Sequence, residues 1–214
     1  MIVSMGMSRD VLTLTPDSPV RDAVALFHDK HIRRAPVVEH GRLVGIISTS
    51  DLTHAYPAEV NPMSVTALTT QPIRLTVSEA MTPNPATCSP DTPIEDAAAL
   101  MRDRRIGALP VLRDGRLVGL ITESDIFRLF VEIFAANHGE VRITLDVSHQ
   151  EDPFGFLAGI AARRRVRILS LIQTKQDDLT VCIVRIRGEG AQKLVDDLWA
   201  AHIRVLNVIH RERS

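Results

Sequence analysis

The sequence predicts a mixed α/β (α+β) protein, a fold class that two observations indicate. Residues 3–52 align with residues 77–126 without a gap, at a constant offset of 74 positions. From residue 141 onward, β-branched runs alternate with two helical patterns in the order strand, helix, strand, strand, helix, strand. The first observation predicts two copies of one small unit. The second predicts a ferredoxin-like domain after them.

The internal repeat depends on motifs that occur in both copies. Thr-x-x-Pro-Asp-x-Pro begins at Thr13 and again at Thr87, and Gly-Arg-Leu-Val-Gly begins at Gly41 and again at Gly115. A unit of about 50 residues buries too little apolar surface to be stable alone. We therefore expect the two copies to pack on each other.

Each copy is predicted to follow the order β-α-β-β-α. The expected elements of the first copy are a strand at 11–14, a helix with Ser18 as N-cap and Pro19 as its first residue, a strand at 35–38, a turn at His40-Gly41, a strand at 43–47 and a helix opened by residues 48–51. The predicted domains are repeat 1 at 1–60, a proline-containing linker at 61–76 with a short helix near 63–68, repeat 2 at 77–137, and the ferredoxin-like domain at 138–214.

Composition and charge disfavour several classes of function. A formal net charge of -1 over 214 residues predicts no nucleic-acid surface, and the absence of a long apolar run predicts no membrane span. Without a signal peptide, and with Cys88 and Cys182 in apolar runs, we expect a cytoplasmic protein with reduced thiols. His28 and His31 have a spacing that suits a metal, but no third ligand accompanies them. No catalytic motif occurs, so the sequence predicts no metal, no catalytic cofactor and no enzyme.

A hydroxyl and a carboxylate three residues apart follow each predicted hairpin. These pairs are Ser48 with Asp51 and Thr122 with Asp125. A hydroxyl beside the free N–H groups at a helix start suits a phosphate, and an Asp one turn later can accept hydrogen bonds from a ribose diol. The same residue types are also typical helix caps. The pattern therefore predicts either a nucleotide site or two capped helices.

These motifs resemble the CBS domain in its tandem (Bateman) arrangement over residues 1–136, ending in Gly-h-h-[Ser/Thr]-x-x-Asp, where h is apolar, at Asp51 and Asp125. The resemblance implies that an adenosine nucleotide (AMP, ADP or ATP) binds between the repeats as a regulatory ligand. It places phosphate or ribose at Ser48 and Thr122, ribose at Asp51 and Asp125, and adenine near the backbone of Thr13 and Thr87.

The residues before the first hairpin strand differ between the copies. In members of this family that bind AMP, a basic residue at the position of Arg33 contacts phosphate, whereas the second copy has Gly107 there. Arg104 or Arg105 could supply the missing cation. The resemblance thus implies phosphate ligands at Arg33 and Arg105 and predicts that the site with Arg33 is the stronger. Alternatively, these Arg residues only stabilise helix C-termini.

A predicted helix at 124–137 ends the second repeat. Its apolar stripe consists of Ile126, Leu129, Phe130, Ile133 and Phe134, and Asn137-His138-Gly139 would end it. The stripe suits either an ordinary core or the interface of a homodimer. Because CBS pairs commonly stack, we expect at least a dimer.

Residues 138–214 resemble the ACT domain, a small-molecule-binding module. Its Asp-x-Pro-Gly-x-Leu loop is matched at Asp152, Gly155 and Leu157, whereas the proline is displaced to Pro153. The resemblance implies a ligand loop at these residues, but the displaced proline favours dimerisation without an amino-acid ligand. The basic run at 163–167 is expected to end the first helix of this domain.

Two CBS repeats followed by an ACT-like domain resemble the acetoin utilization protein B family. The resemblance implies a non-catalytic regulator that is a homodimer, binds an adenosine nucleotide and passes its occupancy to an unidentified regulated protein. An alternative function is a dimeric interaction scaffold whose ligand pockets are vestigial.

Overall fold

The computed structural model describes residues 1–55, 75–134 and 140–210. The chain divides into two compact units, Met1–Ile133 and Phe134–Ser214. The linker helix predicted near 63–68 and the predicted helix end at Asn137 lie outside the described residues.

The first unit contains both repeats. Its elements are a short 3-10 helix (Val3–Met5), α1 (Val20–Lys30), β1 (Arg34–Glu39), β2 (Arg42–Ser48), α2 (Thr49–Ala55), α3 (Val77–Ala80), β3 (Thr82–Pro83), α4 (Ile94–Arg104), β4 (Ala108–Arg113), β5 (Arg116–Thr122) and α5 (Glu123–Phe134). Each repeat has its own apolar cluster between helix and hairpin. The predicted order of helices and hairpins is therefore confirmed in both copies.

The hairpins β1-β2 and β4-β5 have the same antiparallel register, with one irregularity at the same place in each. The predicted turn is confirmed, since His40 and Gly41 both have positive φ angles, 49° and 77°. Asp114 and Gly115 have nearly the same angles in the second copy, 52° and 76°. A two-residue hairpin turn of this kind requires such angles. The register places Ser48 opposite Arg34. The last residue of each hairpin thus lies beside the start of its first strand.

The leading segment of each repeat pairs with the hairpin of the other repeat. Thr82 in β3, near the start of the second repeat, pairs with Ile46 in β2. Conversely, Ser8 near the start of the chain forms a bridge with Leu120 in β5. The strand pairing therefore crosses the boundary between the two copies twice.

Burial follows the same exchange. Val3 is fully buried in the apolar cluster of the second repeat, and Val77 is fully buried in that of the first. Each packed core thus differs from the sequence segments 1–60 and 77–137, because each takes an apolar residue from the start of the other copy. Hydrophobic burial of this kind holds the two repeats together.

The second glycine of each hairpin motif leaves room for the exchanged segment. A Cβ atom at Gly45 would overlap the sulfur of Met81, and one at Gly119 would overlap the sulfur of Met7. Glycine at these positions allows the close approach of another chain segment. The motif Gly-Arg-Leu-Val-Gly therefore recurs for two reasons. Its first glycine allows the hairpin turn, and its second glycine allows the close approach of a segment from the other repeat.

Two local predictions were wrong. Pro19 is the N-cap of α1 rather than its first residue, and the Ser18 hydroxyl accepts a hydrogen bond from the Thr15 N–H at 3.2 Å instead of capping the helix. Residues 11–14 form one parallel bridge, Leu14 with Val37, rather than a strand. A turn closed by the Ser18 N–H and the Thr15 carbonyl oxygen, 3.1 Å apart, follows Leu14 directly and ends the pairing there.

The second unit has the predicted ferredoxin-like element order. It consists of β6 (Glu140–Asp146), α6 (Pro153–Arg164), β7 (Arg167–Gln176), β8 (Leu179–Arg187), α7 (Ala191–Ala200) and β9 (Arg204–His210). The sheet is antiparallel with the order β7-β8-β6-β9. Apolar residues of both helices and the sheet form one buried cluster. The basic run ends α6 as predicted, and Arg164 binds Asp197 of α7 through two nitrogens at 2.6 and 2.7 Å.

A buried carboxylate at the start of β6 joins two arginines of β8. One oxygen of Glu140 accepts a hydrogen bond from Arg185 at 2.6 Å, and the other accepts one from Arg187 at 2.7 Å. Glu140 is 2% exposed and Arg185 is 5% exposed, whereas the Arg187 side chain is half-exposed. Buried charges are tolerated when they are paired in this way.

The apolar side chains of α5 are partly buried and partly exposed. Ile126 and Leu129 are buried in the cluster of the second repeat, so the core interpretation is right for these two. In contrast, Phe127 is 70% exposed, and Phe130 and Val131 are also exposed. The last two residues of the predicted stripe, at 133 and 134, lie outside the described side chains.

The described residues hold no group of three or more potential metal ligands. Within the described ranges, each helix is too short or too polar to cross a membrane. Cys88 is half-buried and Cys182 is buried, and burial raises the pKa of both thiols to about 11.

Candidate functional site

Two pockets in the first unit are built from both repeats. We call the first the Arg33 pocket, and its volume is about 360 Å³. Residues 8, 10–12 and 32–34 of the first copy line it together with residues 107, 120 and 122–125 of the second. Pockets of this size bind small molecules in many proteins.

The second pocket, which we call the Arg105 pocket, has a volume of about 410 Å³. Residues 82, 84–86 and 104–108 of the second copy line it together with residues 34, 46, 48 and 51 of the first. With few exceptions, each of its lining residues stands 74 positions from a residue of the Arg33 pocket. The duplication therefore produces two related pockets, each with a hairpin start from one copy and a helix start from the other.

The structure brings the predicted site residues together across the repeats. Thr122 and Asp125 lie in the pocket of Arg33, whereas Ser48 and Asp51 lie in the pocket of Arg105. Each pocket therefore contains a cation, a hydroxyl at a helix start and a carboxylate one turn later. These are groups that bind phosphate and ribose hydroxyls.

Both carboxylates also close a capping box. Asp51 Oδ2 accepts hydrogen bonds from the N–H of Ser48 at 2.7 Å and from its hydroxyl at 2.6 Å, and the Asp51 N–H reaches the Ser48 hydroxyl oxygen at 3.3 Å. Asp125 makes the same three contacts with Thr122. The cap interpretation of these motifs thus describes real hydrogen bonds. It uses one carboxylate oxygen of each Asp.

The second oxygen differs between the two pockets. Asp125 Oδ1 is 3.2 Å from Nη2 of Arg128, which also donates to the Gly6 carbonyl oxygen at 3.2 Å. The position equivalent to Arg128 in the first copy is His54, whose ring bonds to the Ser50 carbonyl oxygen instead. Among the described residues, Asp51 Oδ1 has no such partner, so this oxygen is available to a ligand hydroxyl.

Arg34 is a functional candidate that the sequence motifs did not reveal. It lines both pockets, and its Nη1 would be 2.6 Å from a Cβ atom placed on Gly107, which also lines both. The small side chains at 107 and 108 of the second copy therefore leave space for the guanidinium of the first. The comparison of Arg34 with the equivalent Ala108 could have indicated this role, because a charged residue replaces a core-type residue at the start of a strand.

The Arg34 guanidinium is half-buried and has neither a hydrogen bond nor an ion pair with the residues that the structure describes. Burial lowers its pKa, and the adjacent charge of Arg33 lowers it further, while Glu123 and Asp51 oppose both effects. An arginine nevertheless stays charged in proteins. Its donors are thus available to an anion in either pocket.

The predicted adenine positions near Thr13 and Thr87 lie next to the lining of the two pockets rather than in it. Thr13 does not line either pocket, and Thr87 lines a different cleft beside the two hairpin turns. The chain reaches the pockets two or three positions earlier, at residues 10–12 and 84–86. The reason is that residue 14, not 13, makes the bridge to the hairpin.

The predicted ligand loop of the second unit is used structurally. Asp152 caps α6 by accepting a hydrogen bond from the Gly155 N–H at 2.9 Å, and a Cβ atom at Gly155 would overlap this carboxylate. Leu157 is buried in the core. These contacts explain why Asp, Gly and Leu occur at this spacing, and a ligand at the loop stays a prediction.

The two repeats with pockets between them define a paired ligand-binding module. The sequence profile of the CBS domain matches residues 2–58 and 77–132. The chain therefore belongs to the CBS-domain family, as a tandem pair. This profile does not extend into the second unit.

Three solved structures are similar to the first two thirds of the chain. CBSX2 in complex with AMP is 28% identical, with a TM-score of 0.52, and the match covers 62% of this chain and 98% of that one. The CBS pair of protein MJ0100, in complex with 5′-methylthioadenosine and S-adenosyl-L-methionine, is 30% identical, with a TM-score of 0.52 and coverages of 62% and 97%. A Vibrio cholerae protein assigned to acetoin utilization (AcuB) is 28% identical, with a TM-score of 0.53 and coverages of 63% and 93%.

Relatives known from sequence show how the module is used. One of them, from Dictyostelium discoideum, is a CBS domain-containing protein, 35% identical, that matches over 92% of its own length and 62% of this chain. Several others, 31–39% identical, match over only 21–47% of their own length, so in them the module is part of a longer protein.

Proposed function

We propose that this protein is a regulatory adenosine-nucleotide sensor without catalytic activity of its own. An AMP-like ligand binds between the repeats, with its phosphate at the arginines and its ribose at Asp51 or Asp125. The observation that carries the proposal is the composition of the two pockets, in which the groups predicted for phosphate and ribose come from different repeats and meet in one cavity. Similar CBS pairs bind AMP, S-adenosyl-L-methionine and 5′-methylthioadenosine.

The geometry suits such a ligand in three respects. Apolar side chains at Val11, Leu12 and Ile32 line the Arg33 pocket and suit the faces of a flat base. Thr122 and the first residues of α5 also line this pocket, and a helix start favours an anion. Asp125 stands between helix and pocket and accepts hydrogen bonds, as a ribose requires.

We propose that the second unit acts as an ACT-type domain that passes pocket occupancy to a regulated protein. Its support is the ferredoxin-like strand order and the capped loop at Asp152 and Gly155. We also propose that the regulated process is acetoin utilization. The similarity to the Vibrio cholerae protein supports this proposal.

Ligand binding is expected to stabilise the full chain against heat. A ligand that binds only the folded state adds about 2.7 kcal/mol of stability at about 100 times its Kd. Thermal unfolding with AMP, ADP, ATP and S-adenosyl-L-methionine should therefore show a concentration-dependent rise in Tm for at least one of them. Guanosine monophosphate is the matched control. Equal effects of AMP and guanosine monophosphate, or none from any adenosine compound, would contradict the proposal.

The protein is expected to be a dimer that uses the exposed face of α5. Phe127, Phe130 and Val131 present apolar surface there, and burying it in a second copy would remove it from water. Light scattering at micromolar concentration should give the mass of at least a dimer, and Phe127→Asp should shift it to a monomer. Phe154→Asp is the control, because Phe154 is exposed in the second unit. A monomeric unsubstituted chain would disprove this interface.

A further inference from the structure

The guanidinium of one arginine lies at both pockets. Arg34 lines the Arg33 pocket and the Arg105 pocket, whereas the equivalent position of the second repeat is Ala108. Its nitrogens lie over Gly107, at 2.6 and 2.9 Å from a Cβ atom built there. The duplication that produced two pockets thus left a single cation of this kind between them.

The pockets differ in the charges that remain when Arg34 is set aside. The Arg33 pocket has one cation and three carboxylates, namely Arg33 with Asp10, Glu123 and Asp125. The Arg105 pocket has two cations and one carboxylate, namely Arg104 and Arg105 with Asp51. From these charges we expect a phosphate to be more favourable in the Arg105 pocket, whereas the family resemblance implied that the site with Arg33 is the stronger.

We propose that Arg34 is a shared phosphate ligand that allows only one pocket at a time to hold a phosphate-bearing adenosine compound tightly. The Arg105 pocket takes that compound first. The Arg33 pocket is then left to an adenosine derivative whose 5′ group is uncharged or cationic. This inference rests on the proposed function.

The physical reason lies in the geometry of one planar cation between two cavities. A guanidinium can bind one phosphate through two parallel hydrogen bonds, and the same donors cannot serve a second phosphate equally well. Once Arg34 is committed to the Arg105 pocket, the carboxylates of Asp10 and Glu123 in the Arg33 pocket repel a second phosphate, whereas Asp125 is paired with Arg128. An uncharged 5′ group meets no such repulsion. The module would thus respond to two adenosine compounds of different charge at the same time.

The test is calorimetry of the full chain with AMP and with 5′-methylthioadenosine, which has no phosphate. AMP should bind the unsubstituted protein in two steps whose affinities differ by about tenfold or more. Protein saturated in its first AMP step should still bind one equivalent of 5′-methylthioadenosine. In Arg34→Met the first AMP step should weaken by about tenfold or more, because a charge-assisted hydrogen bond is lost.

Two controls separate this result from a loss of structure. Retained binding of 5′-methylthioadenosine shows that Arg34→Met folds, as the aliphatic Ala108 at the equivalent position leads us to expect. Arg21→Met removes an exposed cation that lines neither pocket and should leave the first AMP step unchanged. A first AMP step that is insensitive to Arg34→Met, or two equal AMP steps, overturns the shared-cation inference only. Absence of binding by both compounds overturns the proposed function itself.

Discussion

Glu140→Gln is expected to lower the free energy of unfolding of the second unit by about 3–5 kcal/mol. The carboxylate is 2% exposed and forms ion pairs with Arg185 and Arg187 at 2.6 and 2.7 Å. Glutamine keeps the shape but loses the charge, so the buried cation of Arg185 loses its ion pair with this carboxylate. The loss should appear in urea denaturation followed by the fluorescence of Trp199, the single tryptophan of the chain, which lies in α7 of the same unit.

Arg187→Gln is the matched control for this experiment. Its side chain is 45% exposed, so water can replace part of what the ion pair provides, and we expect a loss of about 1 kcal/mol or less. Glu140 would keep its contact with Arg185 in that variant. If Glu140→Gln costs no more than Arg187→Gln, the buried pair is not what stabilises the start of β6.

The double variant Asp51→Ala/Asp125→Ala is expected to weaken adenosine-nucleotide binding by about 10- to 100-fold in each pocket. Both carboxylates are proposed to accept hydrogen bonds from ribose. Both also close capping boxes, so the same variant should lose about 1 kcal/mol of stability per cap. Calorimetry below the unfolding transition measures the affinity, and denaturation without ligand measures the cap. Asp→Asn at both positions should lose less affinity, since an amide oxygen can still accept.

Asp17→Ala/Asp91→Ala is the control, because these two aspartates are equivalent between the copies, exposed and outside both pockets. This control variant should change neither the affinity for the nucleotide nor the stability that the helix caps contribute. The decisive result is whether the double variant loses nucleotide affinity in addition to stability. A folded Asp51→Ala/Asp125→Ala protein with lower stability and unchanged affinity would favour the dimeric scaffold with vestigial pockets.

The parts of the fold that depend on short-range patterns were predictable. The motif from Gly41 to Gly45 predicts a tight turn between two strands, and both hairpins have the turn and the register that it requires. In the second unit the order of four strands and two helices was predicted from the patterns of apolar residues, and the structure has the same order. Here local preferences and burial favour the same structure, so the sequence alone is informative.

The exchange of leading segments was not predictable in the same way. Residues 3–8 and 77–82 are copies of one motif, so either could pair with either hairpin without a change in residue type. Which pairing forms depends on the path of the chain between them. Local patterns contain no information on that choice.

The candidate site shows the same limit. Ser48, Asp51, Thr122 and Asp125 could be named because a helix start dictates their spacing. Arg34 could not, because its importance arises from the approach of Gly107 in the other copy. The adenine expectation at Thr13 and Thr87 depended on a strand at 11–14. The structure has only a bridge at Leu14, and the chain lines the pockets at residues 10–12 and 84–86.

The crossing of Val3 and Val77 into each other's cores has a consequence for how the first unit unfolds. If the first repeat opens, Val77 loses its surroundings and the segment that contains it is released, and the start of the chain has the same relation to the second repeat. Neither half can melt while the other keeps a complete core, so the pair should behave as one cooperative folding unit. Cleavage between the halves would leave two fragments, each of which contains a piece that completes the other.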